Sequence, residues 1–341
     1  MPRPTINDLA LAAGVSLATV DRVLNARQGV RQVTVDKVYD AIEKIGFVRD
    51  PFAAGLARRR DFRVMVFLPG GGGQFLSELR AAVRSTALTA AVDRVDLDLV
   101  EFDRDNPHSL AQTLDLIRSD TVDGVAMMAL ETPPLRDAVR RLKSRGVPTV
   151  AIISDLPNSG RDFFVGIQDI AAGRTAGALM GRIIGPGPAT VAVMTSSLQA
   201  RDSVDRRLGF DAALAEGFAA VRVLPTIEGH DDPALLETIL RRVLTSHPDL
   251  RGLYSMGSGN RVLLAVLDDL RLAGRVRVIA HESTEVTRNG LRSDRLDAVI
   301  TQDLGHILRS AIRKLRATRD QRPIVAEQER IRIEILVKDN L

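Results

Sequence analysis

The order of apolar and polar positions divides the chain near residue 60. Ahead of it, apolar residues recur at intervals of three and four. Ile6, Leu9 and Ala10 form one set, Val20, Val23 and Leu24 a second, and Val38, Ala41, Ile42 and Ile45 a third. Such spacing predicts three short helices, each burying one face. Ala13-Gly14-Val15 separates the first two, and Gly14 can take the positive φ of a tight turn. Thr5 with Asp8, Ser16, and Thr34 are the expected N-caps of the three helices. Two helices across a short Gly-containing turn make a helix-turn-helix, whose second helix can enter the DNA major groove. The same spacing occurs in ordinary all-α domains, so periodicity alone leaves both readings open.

From Arg63 the period changes. Short apolar runs alternate with amphipathic segments: RVMVFLP, FLSELRAAVRSTALTA, VDLDLVEF, SLAQTLDLIRS, GVAMMAL, LRDAVRRLKSRG and TVAII. The theme restarts after residue 162 with FFVGI, runs to VRVIAHE, and continues through LDAVITQDLGHILRSAIRKLRA to a last strand, IRIEILVK. Strands alternating with helices predict an α/β fold with doubly wound parallel sheets in two halves. Ligands in such folds sit outside the carboxyl ends of the strands.

Composition narrows the picture. A chain of 341 residues predicts two or three domains, and 45% apolar residues supply their cores. With no cysteine, disulfides and Cys-based zinc sites or nucleophiles are excluded. The start MPRPTINDLA has no apolar signal region and no run reaches membrane-spanning length, so a soluble, cytoplasmic protein without membrane contact is expected. Residues 1–60 hold ten Lys/Arg against six Asp/Glu, while the remainder holds 37 of each sign. The whole net charge of +4 therefore lies on the helical front segment, as phosphate binding requires.

Catalytic patterns fail on spacing. His281-Glu282 lacks the second His of a zinc-protease motif, because that place holds Glu285. The five histidines (108, 230, 247, 281 and 306) show no metal-ligand spacing. Thr195-Ser196-Ser197 has no G-x-S-x-G context, and the run Gly70–Gly73 is neither a P-loop nor G-x-G-x-x-G. No enzyme, cofactor or metal site is expected.

The string T-I-x-D-x-A-x-x-A-G-V-S-x-x-T-V-x-R-V-L-N, Thr5 to Asn25, resembles the DNA-binding headpiece of the LacI (lactose repressor) family nearly position by position. The resemblance implies a headpiece over residues 1–47. In it Leu17, Ala18 and Arg22 touch base edges, Arg22 reading guanine and the other two meeting thymine methyls. Thr5, Ser16, Thr19 and Asn25 contact phosphate or cap helices. Arg31 and Thr34 are either phosphate contacts or an ordinary solvated cap. Asp21 stands where the family usually has Ser, which sets a carboxylate beside phosphate or in an ion pair with Arg22. Residues 48–61 resemble the family's hinge helix and linker. There Leu56, flanked by Ala53 and Ala57, wedges into the minor groove.

Residues 62–341 resemble the sugar-binding periplasmic-protein fold that serves this family as effector and dimerisation domain. Subdomain one is expected at about 62–160 and 291–323, subdomain two at about 161–290 and 324–341, with crossings near 160, 290 and 323. Phe75 stacks on a sugar ring or packs in the core. Asp155 and Asp169 accept hydrogen bonds from hydroxyls, unless Asp169 is only a helix N-cap. Ile170 follows Asp169 where the family often has Asn, which removes one amide contact. Arg206, three residues before Gly209-Phe210, matches a family arginine; Asn260 and Glu282, each after a strand, stand where family members commonly have aspartate; and Gln302 matches a glutamine of ribose-type binders. Together they suit a polyhydroxylated ligand, a sugar or polyol. The implied protein is a homodimeric transcriptional regulator, most simply a repressor, on a pseudo-palindromic operator in double-stranded DNA. A tetramerising tail is not expected beyond LVKDNL. The alternatives are a corepressor-dependent or activating regulator and, in another class, a sugar-binding transport receptor. The transport receptor would need a signal peptide and would lack the headpiece.

Overall fold

The computed structural model describes residues 4–24, 29–47, 61–106 and 108–341. The chain forms two compact units, Met1–Asp61 and Phe62–Leu341.

The front unit holds three helices, α1 (Ile6–Ala13), α2 (Leu17–Leu24) and α3 (Gln32–Ile45). Thr5 and Asp8 close α1 reciprocally. The Thr5 N–H donates to Asp8 Oδ2 at 2.7 Å, and the Asp8 N–H donates to Thr5 Oγ1 at 3.3 Å. The Thr5 N–H and the Thr5 hydroxyl, both donating to Asp8 Oδ2, hold the Asp8 carboxyl below its ordinary range. Gly14 ends α1 at φ 64°, its N–H reaching the carbonyls of Ala10 and Leu11. At the start of α2 the Thr19 N–H donates to Ser16 Oγ at 3.2 Å. The third helix begins earlier than the side-chain signal implies. Arg31 is its N-cap, with no side-chain bond, and Thr34 lies inside the first turn, where its N–H donates to the Arg31 carbonyl at 2.8 Å. Leu9, Ala10, Ala13, Val20, Val23, Val38 and Ala41 make the shared core.

The rear unit is built on two sheets. The first has five parallel strands in the order β2-β1-β3-β4-β5, where β1 is Phe62–Pro69, β2 Val95–Phe102, β3 Gly124–Met127, β4 Thr149–Ile152 and β5 Phe163–Val165. The second runs β12-β11-β10-β9-β6-β7, with β8 also on β6. Its strands are β6 (Ala189–Thr195), β7 (Val221–Val223), β8 (Ile227–Glu228), β9 (Leu250–Ser255), β10 (Arg277–His281), β11 (Ala298–Thr301) and the antiparallel edge β12 (Glu334–Leu336). Helices connect the strands: α4 (Gln74–Ala90), α5 (Ser109–Asp115) and α6 (Pro133–Ser144) in the first half, then α7 (Asp169–Ile184), α8 (Arg201–Gly217), α9 (Pro233–Ser246), α10 (Asn260–Asp269), α11 (Glu285–Arg292) and α12 (Leu304–Arg319). Fully buried strands such as β3, β4 and β6 are apolar apart from threonines, as strands covered on both faces require.

The crossings differ from those expected near 160 and 290. FFV at 163–165 pairs with β4 and so completes the first sheet, moving the first crossing past Val165. AVIT at 298–301 pairs with β10 and stays in the second, moving the next crossing past Thr301. The chain then returns to the first half as α12, which packs on β3, β4 and β5, before β12 rejoins the second sheet. No described helix is long and apolar enough to cross a membrane.

Candidate functional site

In the front unit, α2 buries Val20 and Val23 and turns the opposite face outward. That face carries Leu17, 48% exposed, with Ala18 and Arg22 also exposed. A large apolar side chain beside a guanidinium on an open helix face is the pattern needed for thymine methyls and guanine edges. Ser16 and Thr19 hydroxyls share a 2.9 Å hydrogen bond at the start of that helix. Arg31 is exposed and Thr34 half-buried. Asn25, Ala53, Leu56 and Ala57 lie outside the described residues.

In the rear unit, the candidate pocket centres on Arg206 in α8. Two helices must come unusually close to place it. A Cβ on Gly173 would lie 2.0 Å from the Arg206 carbonyl oxygen, and one on Gly209 would lie 2.0 Å from that of Ile170. Only glycine at both places lets α7 and α8 touch backbone to backbone, and this brings Arg206 beside Asp169. Arg206 is 2% exposed. Its Nε donates to Asp169 Oδ1 at 2.8 Å, Nη1 to the Met256 carbonyl at 2.9 Å, and Nη2 to Glu282 Oε1 at 3.3 Å. Asp202, one turn earlier in α8, stands 3.9 Å from Nη1. Gln302 Nε2 donates to Glu282 Oε1 at 3.2 Å, and the Ile167 N–H donates to Gln302 Oε1 at 3.3 Å. Gln302 thus bridges the cluster to the first crossing segment.

Three carboxyl groups surround one guanidinium. Burial pushes the Asp169 carboxyl up to about 7 despite the pull of Arg206, and burial raises Glu282 in the same way. For Arg206 burial acts against the charge, but Asp169, Asp202 and Glu282 outweigh it and hold the guanidinium above its ordinary range. Beneath the cluster, Tyr254 Oη and His281 Nε2 lie 2.6 Å apart, with Tyr254 stacked on Phe210 at 4.6 Å. Burial, aided by Arg206, drops the His281 imidazole well below its ordinary value.

The structure therefore joins Asp169, Arg206, Glu282 and Gln302 in one hydrogen-bonded group. Asn260 starts α10 beside them, its Nδ2 donating to the Gly257 carbonyl at 2.9 Å. Asp169 is the first residue of α7 and Gln168 its N-cap, so the capping alternative does not hold. Phe75 is half-buried against the apolar core. Asp155 does not join the group. Arg161 takes its carboxylate, with Nη2 to Oδ2 at 2.6 Å, and the Leu156 N–H takes the other oxygen at 2.6 Å. Its neighbour Ser154 reaches the group instead, its hydroxyl donating to Asp202 Oδ1 at 3.0 Å. Asp202 and Ser154 went unread in the sequence. The first has a signal, an acid one helical turn before an arginine. The four-residue spacing of Gly173, Gly177 and Gly181 is likewise a signal for close helix packing. Two further ion pairs join the halves at the rim: Arg104 with Asp231, and Arg288 Nη2 with Glu78 Oε1 at 3.0 Å. An open cavity of about 540 Å³ lies beside the second, lined by Gly73, Gln74, Ser77, Glu78, Arg261 and Glu285.

A helix-turn-helix unit joined to a two-sheet α/β unit of the kind that encloses ligands between strand ends defines a recognisable class. Residues 5–50 match the model for bacterial regulatory proteins of the lacI family, and residues 64–320 match the periplasmic binding protein domain. The chain belongs over most of its length to the periplasmic binding protein domain family and carries a lacI-family regulatory domain at its front. It is similar to catabolite control protein A of Priestia megaterium, 31% identical over 44% of this chain and 43% of that one. It is also similar to the HTH-type transcriptional regulator RegA of Clostridium saccharobutylicum, 24% identical over 84% of this chain and 80% of that one. The chain spans about half the length of the curated relatives it matches first, between 43% and 61%. A solute-binding protein of an ABC transporter from Burkholderia graminis, solved with D-arabinose, superposes with a TM-score of 0.73 at 23% identity, over 82% of this chain and 96% of that one. That likeness is one of fold.

Proposed function

We propose that the protein is a DNA-binding transcriptional regulator, a repressor in its simplest form, whose operator affinity is set by a small polyhydroxylated ligand held at Arg206. One observation carries this reading: a helix-turn-helix with an open Leu17-Ala18-Arg22 face shares a chain with a buried, fork-shaped polar cluster between two α/β halves. Arg206 presents donors to paired hydroxyls, while Glu282 and Gln302 offer acceptors. Arg206 is already surrounded by three acidic side chains, which favours a neutral ligand over an anionic one. The relatives are regulators by name, which supports binding and switching rather than catalysis. Two headpieces read two half-sites, so the working unit is a homodimer in the cytoplasm. Leu88 and Val92, four residues apart and 78% and 83% exposed, supply apolar surface for such pairing.

Ligand and operator are coupled through the angle of the two halves, and by linkage each alters affinity for the other. A thermal-shift screen of pentoses, hexoses and polyols tests the ligand assignment. A sugar that raises the melting temperature of the parent chain but not of Arg206→Ala supports it. A panel that leaves the parent unmoved refutes it.

A further inference from the structure

Three helices of the rear unit, α4, α10 and α11, start at Gln74, Asn260 and Glu285, after the carboxyl ends of β1, β9 and β10. The open cavity of about 540 Å³ lies at these starts. Its walls come from both halves, with Gln74, Ser77 and Glu78 on one and Arg261 and Glu285 on the other. Open α/β sheets hold ligands at such places, and clefts for small molecules run to about 300–1,000 Å³. The glycine run that forms the lip is fixed in place. Arg80 Nη2 donates to the Pro69 carbonyl at 3.0 Å and the Gly71 carbonyl at 2.9 Å, and the Gly70 N–H donates to the Phe102 carbonyl at 2.8 Å.

Apart from Gly73 the lining is polar. The side chains of Gln74, Ser77, Arg261 and Glu285 have no hydrogen bond or ion pair among the described residues, whereas Glu78 is joined to Arg288. With Arg288 included, two guanidinium groups stand with two carboxylates, so the cavity favours neither an anion nor a cation. Arg261 and the Gln74 amide supply donors, and Glu285 and the same amide supply acceptors. A hydroxyl both gives and takes a hydrogen bond, so a neutral polyhydroxylated unit matches this set and an apolar one does not. The cavity also adjoins the Arg206 group along the chain. Arg261 follows Asn260, whose Oδ1 is buried with no partner among the described residues. Gln74 precedes Phe75, and Glu285 lies three residues after Glu282.

We infer that this cavity is an outer subsite and that the effector is a neutral carbohydrate of two or more units. Its inner unit lies at Arg206 and Asn260, and its outer unit lies between Gln74 and Ser77 on one half and Arg261 and Glu285 on the other. The inference rests on the carbohydrate reading of the same cleft. An outer unit that touches both halves ties them together, so it adds to the force that sets their angle. A monosaccharide at the inner position leaves these four side chains to water.

Calorimetric titration of the full chain with matched sets tests it: glucose with maltose and cellobiose, galactose with lactose and melibiose, and xylose with xylobiose. In a set that binds, a disaccharide should bind at least roughly tenfold more tightly than its monosaccharide, through added hydrogen bonds to charged groups. Arg261→Ala combined with Glu285→Ala replaces two exposed side chains and should bring that disaccharide down to the affinity of the monosaccharide. A monosaccharide bound as tightly as every disaccharide that contains it, or a double variant that keeps the disaccharide's advantage, overturns this inference and leaves the carbohydrate reading standing. Failure of every sugar in every set to bind overturns both.

Discussion

Replacing Arg206 by Met removes the only cation in direct contact with Asp169 and Glu282 among the described residues while keeping an unbranched side chain of moderate length. Both carboxyl groups are buried, so the loss is that of one partner from a buried ionic group, about 3–5 kcal/mol. The effect has a pH signature. The folded state holds a proton on Asp169 up to about pH 7, whereas the unfolded chain releases it near 3.8. Stability from this group is therefore full below 3.8 and falls as pH rises toward 7, by roughly 4 kcal/mol in all. Without Arg206 the attraction that restrains Asp169 is gone and its window extends upward. The deficit of Arg206→Met relative to the parent should then be larger at pH 8 than at pH 5.5. Urea unfolding at the two pH values measures this. The chain has two tyrosines and no tryptophan, and Tyr254, 0% exposed, lies beneath the cluster, so its fluorescence reports this core. An unfolding midpoint at pH 8 equal to that of the parent, or a deficit that does not change with pH, would refute the reasoning.

Other perturbations test other links. Gly173→Ala places a methyl 2.0 Å from the Arg206 carbonyl oxygen, so α7 and α8 must separate; a loss of about 1–3 kcal/mol in stability and at least tenfold in effector affinity is expected from denaturation and calorimetry. Asp231→Ala breaks a half-exposed pair with Arg104 across the halves and should cost about 1 kcal/mol or less, seen as a loss of up to fivefold in effector affinity with an unchanged circular dichroism spectrum. Arg22→Ala should cost about 1–3 kcal/mol on the best operator and relax base preference at one position per half-site, read out by binding-site selection.

Local features were legible because both partners lie within one turn of each other. Thr5 with Asp8 and Ser16 with Thr19 are of this kind. Arg31 was not, because the start of α3 is closed by backbone atoms alone. In the cleft, Arg206, Glu282 and Gln302 could be read from their places after strands or before Gly-Phe. Their mutual contacts, 20 to 76 residues apart in sequence, could not. Asp155 has a comparable position in sequence, and only the tertiary path of the loop shows Arg161 returning to pair with it. The crossings near 160 and 290 were misplaced for a related reason. A short apolar run announces a strand, but nothing within FFV or AVIT says which sheet it joins.

The proposed function requires that the front helices read duplex DNA and that a sugar held in the rear unit changes how tightly they do so. Selection of duplexes from a random pool by the full chain, followed by anisotropy titration of the winner with and without the sugar found by thermal shift, tests both parts at once. Enrichment of a pseudo-palindrome with two half-sites and a change in affinity of at least tenfold on adding the sugar are expected. No enrichment over random competitor, with the sugar present or absent, would contradict it.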